Sequence, residues 1–367
     1  MQVSKNEDAL LAAKEEEATL KIILFWNSFF GAVDHHFGLG QKPLIDAKCR
    51  VTKCFFTHNR DLFNRSEAII FSIEGIDLND LPKYRFPHQR FVFYEMESPA
   101  TTSKQALYHN KTRFSFFNWT MTYRLDSDIY HRFSYGVSIP HKRLLPESYP
   151  SAGPETQRST VHRVNHPTVN INAKTKLVAW FVSHCPTPSR REDYVKELAR
   201  HIPIDVYGKC GTLVCTDRVA CYEMLKKYKF YLAFENSICA DYVTEKFFKP
   251  LMYEVVPIVL GGADYTKFAP PHSYINALVD FNSPKELADY LWFLNNNDQL
   301  YARYFDWRRD YTVSVYDPKG WCHLCKLVND LTVPNKVYSD IQHWWMHEKD
   351  LCAPPWQNNS NSVPKML

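Results

Sequence analysis

No run among the 367 residues approaches the roughly 18 consecutive apolar positions that a membrane-spanning helix needs, and no basic, apolar, small-residue leader pattern opens the chain. A charge excess is missing as well: 44 basic residues face 40 acidic ones, leaving a formal charge of +4. That balance excludes a nucleic-acid binder, which must neutralise many phosphates, and suits a small anionic ligand better than a polyanion. Residues 5–19, rich in Glu, Lys and Ala, read as a solvated helical stem.

What is present is ordinary globular composition, 45% hydrophobic and 23% charged, with length enough for two cores. Aromatics are abundant, with 24 Phe, 22 Tyr and 9 Trp, and most are expected to pack the core. Ten cysteines make an even number, and Cys322-His323-Leu324-Cys325 lies far downstream of Cys49 and Cys54. Zinc, a thioredoxin-type pair and disulfides compete for these residues. Four residues between Cys49 and Cys54 lie at the edge of structural-zinc spacing, which favours disulfides. Glycosylation sequons occur at Asn64, Asn110, Asn118 and Asn358, against about three expected by composition alone, so they are merely compatible with a lumenal protein.

Strand-like runs recur at 21–26, 49–57, 68–73 and 90–96. From 138 to 176 come Pro140, Pro146, Pro150, Pro154 and Pro167 among Ser, Thr, Asn and His, the best linker in the chain. Beyond it the alternation is regular: strand 177–182, helix 189–200, strand 204–207, helix 217–227, strand 230–234, helix 241–254 and strand 255–260. Ser283-Pro284-Lys285-Glu286 is a capping box with Pro in the first turn, opening a helix to residue 294. Pro250 is expected to kink or shorten the 241–254 helix. Alternating strands and helices imply parallel sheets with helices on both faces. The expected organisation is a stem at 1–20, one Rossmann-like domain at 21–140, a linker at 141–175, a second Rossmann-like domain at 176–335, and a C-terminal helix and tail at 336–367.

Several residue groups carry chemistry. The 177–182 strand leads into Ser183-His184-Cys185-Pro186-Thr187-Pro188, then Ser189-Arg190-Arg191-Glu192, in which Ser189 and Glu192 match a capping box. Free amides at a helix start and two arginines in its first turn make an anion site at the sheet's carboxyl edge; a solvated basic turn is the plainer alternative. Phe234-Glu235-Asn236-Ser237 and Asp241-Tyr242-Val243-Thr244-Glu245-Lys246, before Val255-Val256-Pro257-Ile258-Val259-Leu260, crowd a carboxylate, a phenol and an amine at the point where a parallel sheet opens to a ligand. Read without other context, Glu245 and Lys246 are two exposed helix charges. Tyr207-Gly208 ends at the same edge, as pocket wall or as core. In the first half, Phe91-Val92-Phe93-Tyr94 delivers Glu95, Met96, Glu97, Ser98 and Pro99 to a strand end, with two carboxylates on the same strand face. Asp126-Ser127-Asp128 taken alone spells a metal-binding Asp-x-Asp, but it precedes the linker and reads as structural or acceptor-facing.

The run through Glu235, Asn236, Tyr242, Glu245 and Lys246 resembles the donor-sugar motif of the α1,3-fucosyltransferase family, and the resemblance extends over about residues 22–327. Glu97-Ser98-Pro99 is similar to the family's acceptor-side motif, and the stretch from Asn118-Trp119-Thr120 to Asp128 also resembles the family. The resemblance implies a GT-B fold, two Rossmann-like domains facing across a cleft, the first serving the acceptor and the second binding GDP-fucose. It implies an inverting transfer of L-fucose from GDP-β-L-fucose to the 3-hydroxyl of a GlcNAc, with Glu97 as general base and Glu95 as its rival. Arg191, with Arg190 as fallback, would grip the phosphates; Lys246, Glu245, Tyr242, Asn236, Ser183 and Tyr207 would complete the donor site. No cofactor and no obligatory metal are implied. Cys49 and Cys54 would be linked to Cys322 and Cys325.

Natural relatives carry a short tail and signal-anchor before such a stem, so this chain is expected to be a soluble truncated form of a type II Golgi enzyme working in the lumen. Cys185, Cys239 and the cluster Cys210, Cys215 and Cys221 depart from the vertebrate Lewis-type pattern and look like the invertebrate and plant branch, which favours the N-glycan core GlcNAc over N-acetyllactosamine. The competing readings are an Asp-x-Asp metal-dependent glycosyltransferase and a non-catalytic sugar-binding protein.

Overall fold

The computed structural model describes residues 20–141, 169–347 and 351–357, which divide into two compact units. The expected stem, most of the expected linker and Asn358 lie outside the described residues. The chain crosses between units more than once: the first holds the residues up to Phe133 together with Asp317–Leu351, and the second holds Ser134–Tyr316 and the segment from Cys352.

The first unit is built on a six-stranded sheet in the order β2-β1-β3-β4-β5-β6. Its strands are β1 (Lys21–Phe25), β2 (Cys54–Thr57), β3 (Ser66–Ser72), β4 (Arg90–Glu95), β5 (Trp119–Thr122) and β6 (Ile129–Tyr130). Every pairing is parallel. Strands covered on both faces read as continuous apolar runs, and β4 buries all five residues after Arg90.

The helix Lys319–Asn329 returns to this unit and packs on β1 and β6, although the sequence placed it in the second domain. It buries Gly320, Trp321, Leu324, Cys325 and Val328, a single helical stripe. The Trp321 ring sits 4.8 Å from the His131 ring, 5.2 Å from Phe37 and 5.6 Å from Tyr94. A Cβ at position 320 would come within 2.2 Å of His131 Nδ1, so only glycine lets the helix approach this closely. Two disulfides, Cys49–Cys322 and Cys54–Cys325, fasten the helix to the region of β2. The segment that follows is also held inside the unit. Arg113 forks onto Asp340 at 2.6–3.1 Å, and Trp345 Nε1 donates to Thr102 Oγ1 at 3.0 Å.

The second unit has a five-stranded parallel sheet in the order β12-β11-β10-β8-β9. Its strands are β8 (Lys176–Phe181), β9 (Ile204–Tyr207), β10 (Tyr228–Phe234), β11 (Val256–Leu260) and β12 (Ile275–Asn276). A two-stranded antiparallel ribbon joins β7 (Val137–Pro140) to β13 (Tyr311–Ser314). All seven residues of β10 are buried. Ser283 caps the helix Pro284–Asn295 as its sequence anticipates, its hydroxyl accepting from the Glu286 amide at 3.2 Å. The helix read over 241–254 is shortened to Glu245–Met252, with Pro250 in its last turn, the shortening that a proline inside the run anticipates.

The expected capping box at Ser189 does not form. The helix Arg191–Leu198 has Arg190 at its N-cap, with φ 52° and no side-chain cap, because the Ser189 hydroxyl donates instead to the Glu235 carbonyl at 2.8 Å.

Two consequences for stability follow. Each bridge to the Lys319–Asn329 helix spans more than 270 residues, with separations of 273 and 271, but with one intact the other closes only a short effective loop. Removing either singly is expected to cost about 2–3 kcal/mol and removing both more than twice that, measured as denaturant midpoints of the Cys→Ala variants. Burial lowers the pKa of His35 to about 4 and that of His131 to about 3. The folded state therefore keeps both rings neutral while the unfolded chain takes up protons below about pH 6.5, so stability is full above that pH and falls as the pH drops towards 4. Between pH 7.5 and 5 these two rings should each cost on the order of 2 kcal/mol, and a His131→Gln variant should lose its own share of that pH dependence.

Candidate functional site

In the second sheet β9 lies on one side of β8 and β10 on the other, so the carboxyl ends of β8 and β10 flank the switch point at which open parallel sheets bind ligands. Arg191 spans this point. Its Nη1 donates to the Phe234 carbonyl at 2.6 Å and its Nη2 to the His184 carbonyl at 3.1 Å, joining the ends of the two strands. Read from sequence as a phosphate ligand, Arg191 is in fact 4% exposed and turned into the protein. Arg190 is exposed and paired with Asp193 at 2.6 Å. The Ser189 amide donates to the Asn236 carbonyl at 2.8 Å, adding a second tie between the loops after β8 and β10.

Ser183 is exposed just beyond β8. Gly208 faces it with φ 100°, and a Cβ there would meet the Val182 carbonyl at 2.5 Å, so the loops after β8 and β9 come together only over glycine. The disulfide Cys185–Cys210 closes the same pair of loops covalently.

The centre of the site is a carboxylate that the sequence reading quoted within the donor motif but gave no role. Glu235, directly after β10, has a fully buried side chain. It accepts from the Thr244 amide at 2.8 Å and from the Thr244 hydroxyl at 2.9 and 3.0 Å. Thr244 in turn is the N-cap of the helix Glu245–Met252. Lys246 Nζ lies 2.9 Å from Thr244 Oγ1, 3.3 Å from Glu235 and 3.6 Å from Glu245, with a quarter of its side chain exposed. Burial holds Glu235 above the usual carboxylate range despite the attraction of Lys246. For Glu245, burial pushes upward but the Lys246 and Lys249 ammoniums outweigh it, and its pKa is lowered. The available signal for Glu235 was a lone acid directly after the apolar run 230–234, a position that demands a partner.

Asn236 is half-buried at the same edge. Tyr242 is buried and packs edge-on against Tyr135, with ring centroids 6.1 Å apart. Tyr207 does not stand in a pocket wall: it is buried, and its hydroxyl pairs with Tyr228 at 2.8 Å, since the alternation of β9 turns it into the core. The disulfide Cys239–Cys352 and the bond from the Ala353 amide to the Ile238 carbonyl at 2.8 Å lace the C-terminal segment onto the loop after β10.

In the first unit Glu95 and Glu97 follow β4. Glu95 is 1% exposed, and its Oε1 accepts the amides of Met96 at 2.8 Å and Glu97 at 2.7 Å. Burial, reinforced by the charge of Glu74, raises its pKa well above the usual carboxylate range. Glu97 is half-buried and accepts from the Thr101 hydroxyl at 3.3 Å.

The Asp-x-Asp carboxylates are both engaged by the protein. Asp126 takes a two-point bond from Arg124 at 2.9 and 2.6 Å, and Asp128 accepts from the Thr120 amide at 2.9 Å and the Tyr338 hydroxyl at 3.0 Å. Among the described residues no cluster of three His, Cys, Asp or Glu is placed to hold a metal ion.

Asn64 and Asn110 are exposed. Asn118, counted above among the sequons, is buried: its Oδ1 accepts from the Phe91 amide at 2.8 Å and its Nδ2 donates to the Lys336 carbonyl at 2.9 Å, so it has no room for a glycan. All ten cysteines are paired, the remaining bridge being Cys215–Cys221.

Comparison with known proteins agrees across the chain. The family model for glycosyltransferase family 10 (fucosyltransferase), C-terminal part, matches residues 171–344, and that for the fucosyltransferase N-terminal part matches residues 18–135. Alpha-(1,3)-fucosyltransferase C of Drosophila melanogaster is 38% identical over 341 residues, 89% of this chain and 78% of that protein. Glycoprotein 3-alpha-L-fucosyltransferase A of the same organism is 35% identical over 92% of this chain, which spans 63% of its length. A crystal structure of an alpha1,3-fucosyltransferase with GDP-fucose superposes with a TM-score of 0.53 at 18% identity, covering 86% of this chain and 92% of the other, and supports the shared GT-B fold. With its two sheets, its switch-point acid and ammonium, and matches over both halves, the chain belongs to glycosyltransferase family 10, the fucosyltransferases.

Proposed function

We propose that this protein is an α1,3-fucosyltransferase that moves L-fucose from GDP-β-L-fucose to the 3-hydroxyl of a GlcNAc in a glycoprotein glycan, with the N-glycan core GlcNAc as the preferred acceptor. The observation that carries the reading is the Glu235–Thr244–Lys246 cluster at the switch point of a family 10 sheet. An ammonium fixed there is suited to offset the charge that builds on the departing diphosphate. Glu245, an ionised acceptor beside it, suits the ribose hydroxyls, and Asn236 and Ser183 at the same edge suit phosphate or fucose oxygens. Arg191 serves this site from behind, by fixing the two strand ends from which those groups project. Tyr242 and Tyr207 contribute as packing.

Glu97 is the general base. It removes the proton of the acceptor 3-hydroxyl as that oxygen bonds to C1 of fucose, while the C1–O bond to GDP breaks on the opposite face and the anomeric centre inverts. Glu95, buried and turned onto the amides of Met96 and Glu97, serves by holding the Glu97 amide. No metal takes part. Five disulfides fit an oxidising lumen and support work in the Golgi, anchored through a segment before the stem.

The deciding assay offers GDP-fucose with a panel of N-glycans and free N-acetyllactosamine, in EDTA, and maps the new linkage by NMR. No transfer, or attachment at any oxygen other than O3, sinks the reading. Glu97→Gln is expected to slow transfer about a hundred- to ten-thousand-fold with GDP affinity unchanged, whereas Lys246→Ala weakens GDP binding and transfer together. Glu235→Ala should lose roughly 1–3 kcal/mol of stability as well as donor affinity, because Thr244 is left with unmet buried donors; Glu235→Gln should keep most of the stability and lose the affinity.

A further inference from the structure

Strands β3 and β4 are parallel neighbours, with Ser72 opposite Tyr94 and the Ile73 amide bonded to the Tyr94 carbonyl at 3.1 Å, so the chain segments that follow them leave the sheet side by side at its carboxyl edge. Glu97 comes from the end of β4 and Glu74 from the end of β3. The backbone at Glu74 is fixed from its own side. The Asn27 side chain brackets Ser72, accepting from its N–H at 3.0 Å and donating to its carbonyl at 2.8 Å, and the Ser72 hydroxyl donates to the Glu74 carbonyl at 3.1 Å.

Beyond Glu97 the chain turns tightly through residues 98–103. The carbonyl of buried Ser98 gathers this turn, accepting the amides of Thr101 and Thr102 at 2.9 Å each and the Thr102 hydroxyl at 2.8 Å. The turn sets the Thr101 hydroxyl 3.3 Å from Glu97 Oε2. Two side chains grip it from outside. Trp345 Nε1 donates to Thr102 Oγ1 at 3.0 Å, and Glu74 Oε1 accepts the Ser103 amide at 3.1 Å, holding the far end of the turn.

The charge of that second clamp is informative. Burial raises the Glu74 pKa, the Ser103 bond opposes the rise, and the charge of Glu97 adds to it; Glu74 in turn helps to raise that of Glu95. An acid set beside two other acids breaks the rule of opposite-charge pairing, and breaches of this kind gather at functional sites. What the Glu74 carboxylate gains in exchange is the Ser103 amide, at the end of the turn that begins at Glu97.

We propose that Glu74 is a positioning residue for fucosyl transfer: by holding the Ser103 amide it fixes the turn after Glu97, and with it the aim of the Glu97 carboxylate at the acceptor hydroxyl. The role rests on the reading of Glu97 as general base. A base displaced by about 1 Å loses much of its rate advantage, so a clamp of this kind acts on kcat.

Two conservative substitutions in the full chain separate the bond from the charge. Glu74→Asp keeps the charge but is one methylene too short to reach Ser103, and Glu74→Gln keeps an oxygen at the same reach and removes the charge. Glu74→Asp should lower kcat about tenfold, with GDP affinity by calorimetry and the denaturant midpoint unchanged, while Glu74→Gln should stay within about twofold of the parent. In a Glu97→Gln background, where the group being aimed is gone, Glu74→Asp should cost nothing further. Parent-like kcat in Glu74→Asp, an equal loss in Glu74→Gln, or the same fold loss persisting on Glu97→Gln each overturn the proposal. If Glu97→Gln alone turns over like the parent, the base assignment itself falls and the positioning role falls with it, an outcome that the Glu74 variants cannot mimic.

Discussion

An acid buried at the end of a parallel strand must be given partners by the chain that follows it, and the local geometry around Glu235 is organised by that demand. Its oxygens draw in the amide and hydroxyl of Thr244, which fixes where the next helix starts. The helix start then sets Lys246 beside both Glu235 and Glu245. One buried carboxylate thus positions a backbone, a cap and a cation together. Arg191 meets the same need from the other side of the switch point, since the carbonyls that end β10 and follow β8 have no sheet partner and receive its guanidinium. Two ionisable groups in the interior stiffen an edge that loops alone would leave loose.

Cysteine chemistry extends this stiffening. Cys185–Cys210 joins the loops after β8 and β9, and Cys239–Cys352 joins the loop after β10 to the C-terminal segment, where Trp356 packs against Tyr194 with ring centroids 5.0 Å apart. Three of the loops at the carboxyl edge are therefore tethered. Restraint of this kind lowers the ordering cost of binding a ligand whose recognised groups are spread over several loops.

The strands β1 to β4 and β8 to β11 were legible because doubly covered strands leave contiguous apolar runs, as in β4, and these need no distant information; the short β5, β6 and β12 leave no such run and were not read. The Ser283 cap was legible for the same reason: its donor and acceptor are three residues apart. Ser189 presented the same local pattern and behaves differently, because a carbonyl from residue 235 competes for its hydroxyl and wins. The surroundings of Arg191, Tyr207 and Asn118 were hidden from the sequence in one common way. Each is a polar side chain whose partner lies 21 to 218 residues away, as Phe234 does for Arg191, Tyr228 for Tyr207 and Lys336 for Asn118. The return of the Lys319–Asn329 helix was hidden likewise: its apolar stripe could be read, but the sheet that it covers could not.

That return has a bearing on biogenesis. The ribosome delivers β1 to β6 first, yet Trp321, Cys322 and Cys325 emerge only after nearly the whole second unit has been made. Until then the nascent first sheet lacks its covering helix, and Cys49 and Cys54 wait as neighbouring thiols without their eventual partners. The second unit can meanwhile close Cys185–Cys210 and Cys215–Cys221 from residues already translated. The half that begins synthesis is thus the half that can be completed only last, its sheet uncovered and its two thiols without their final partners for most of translation.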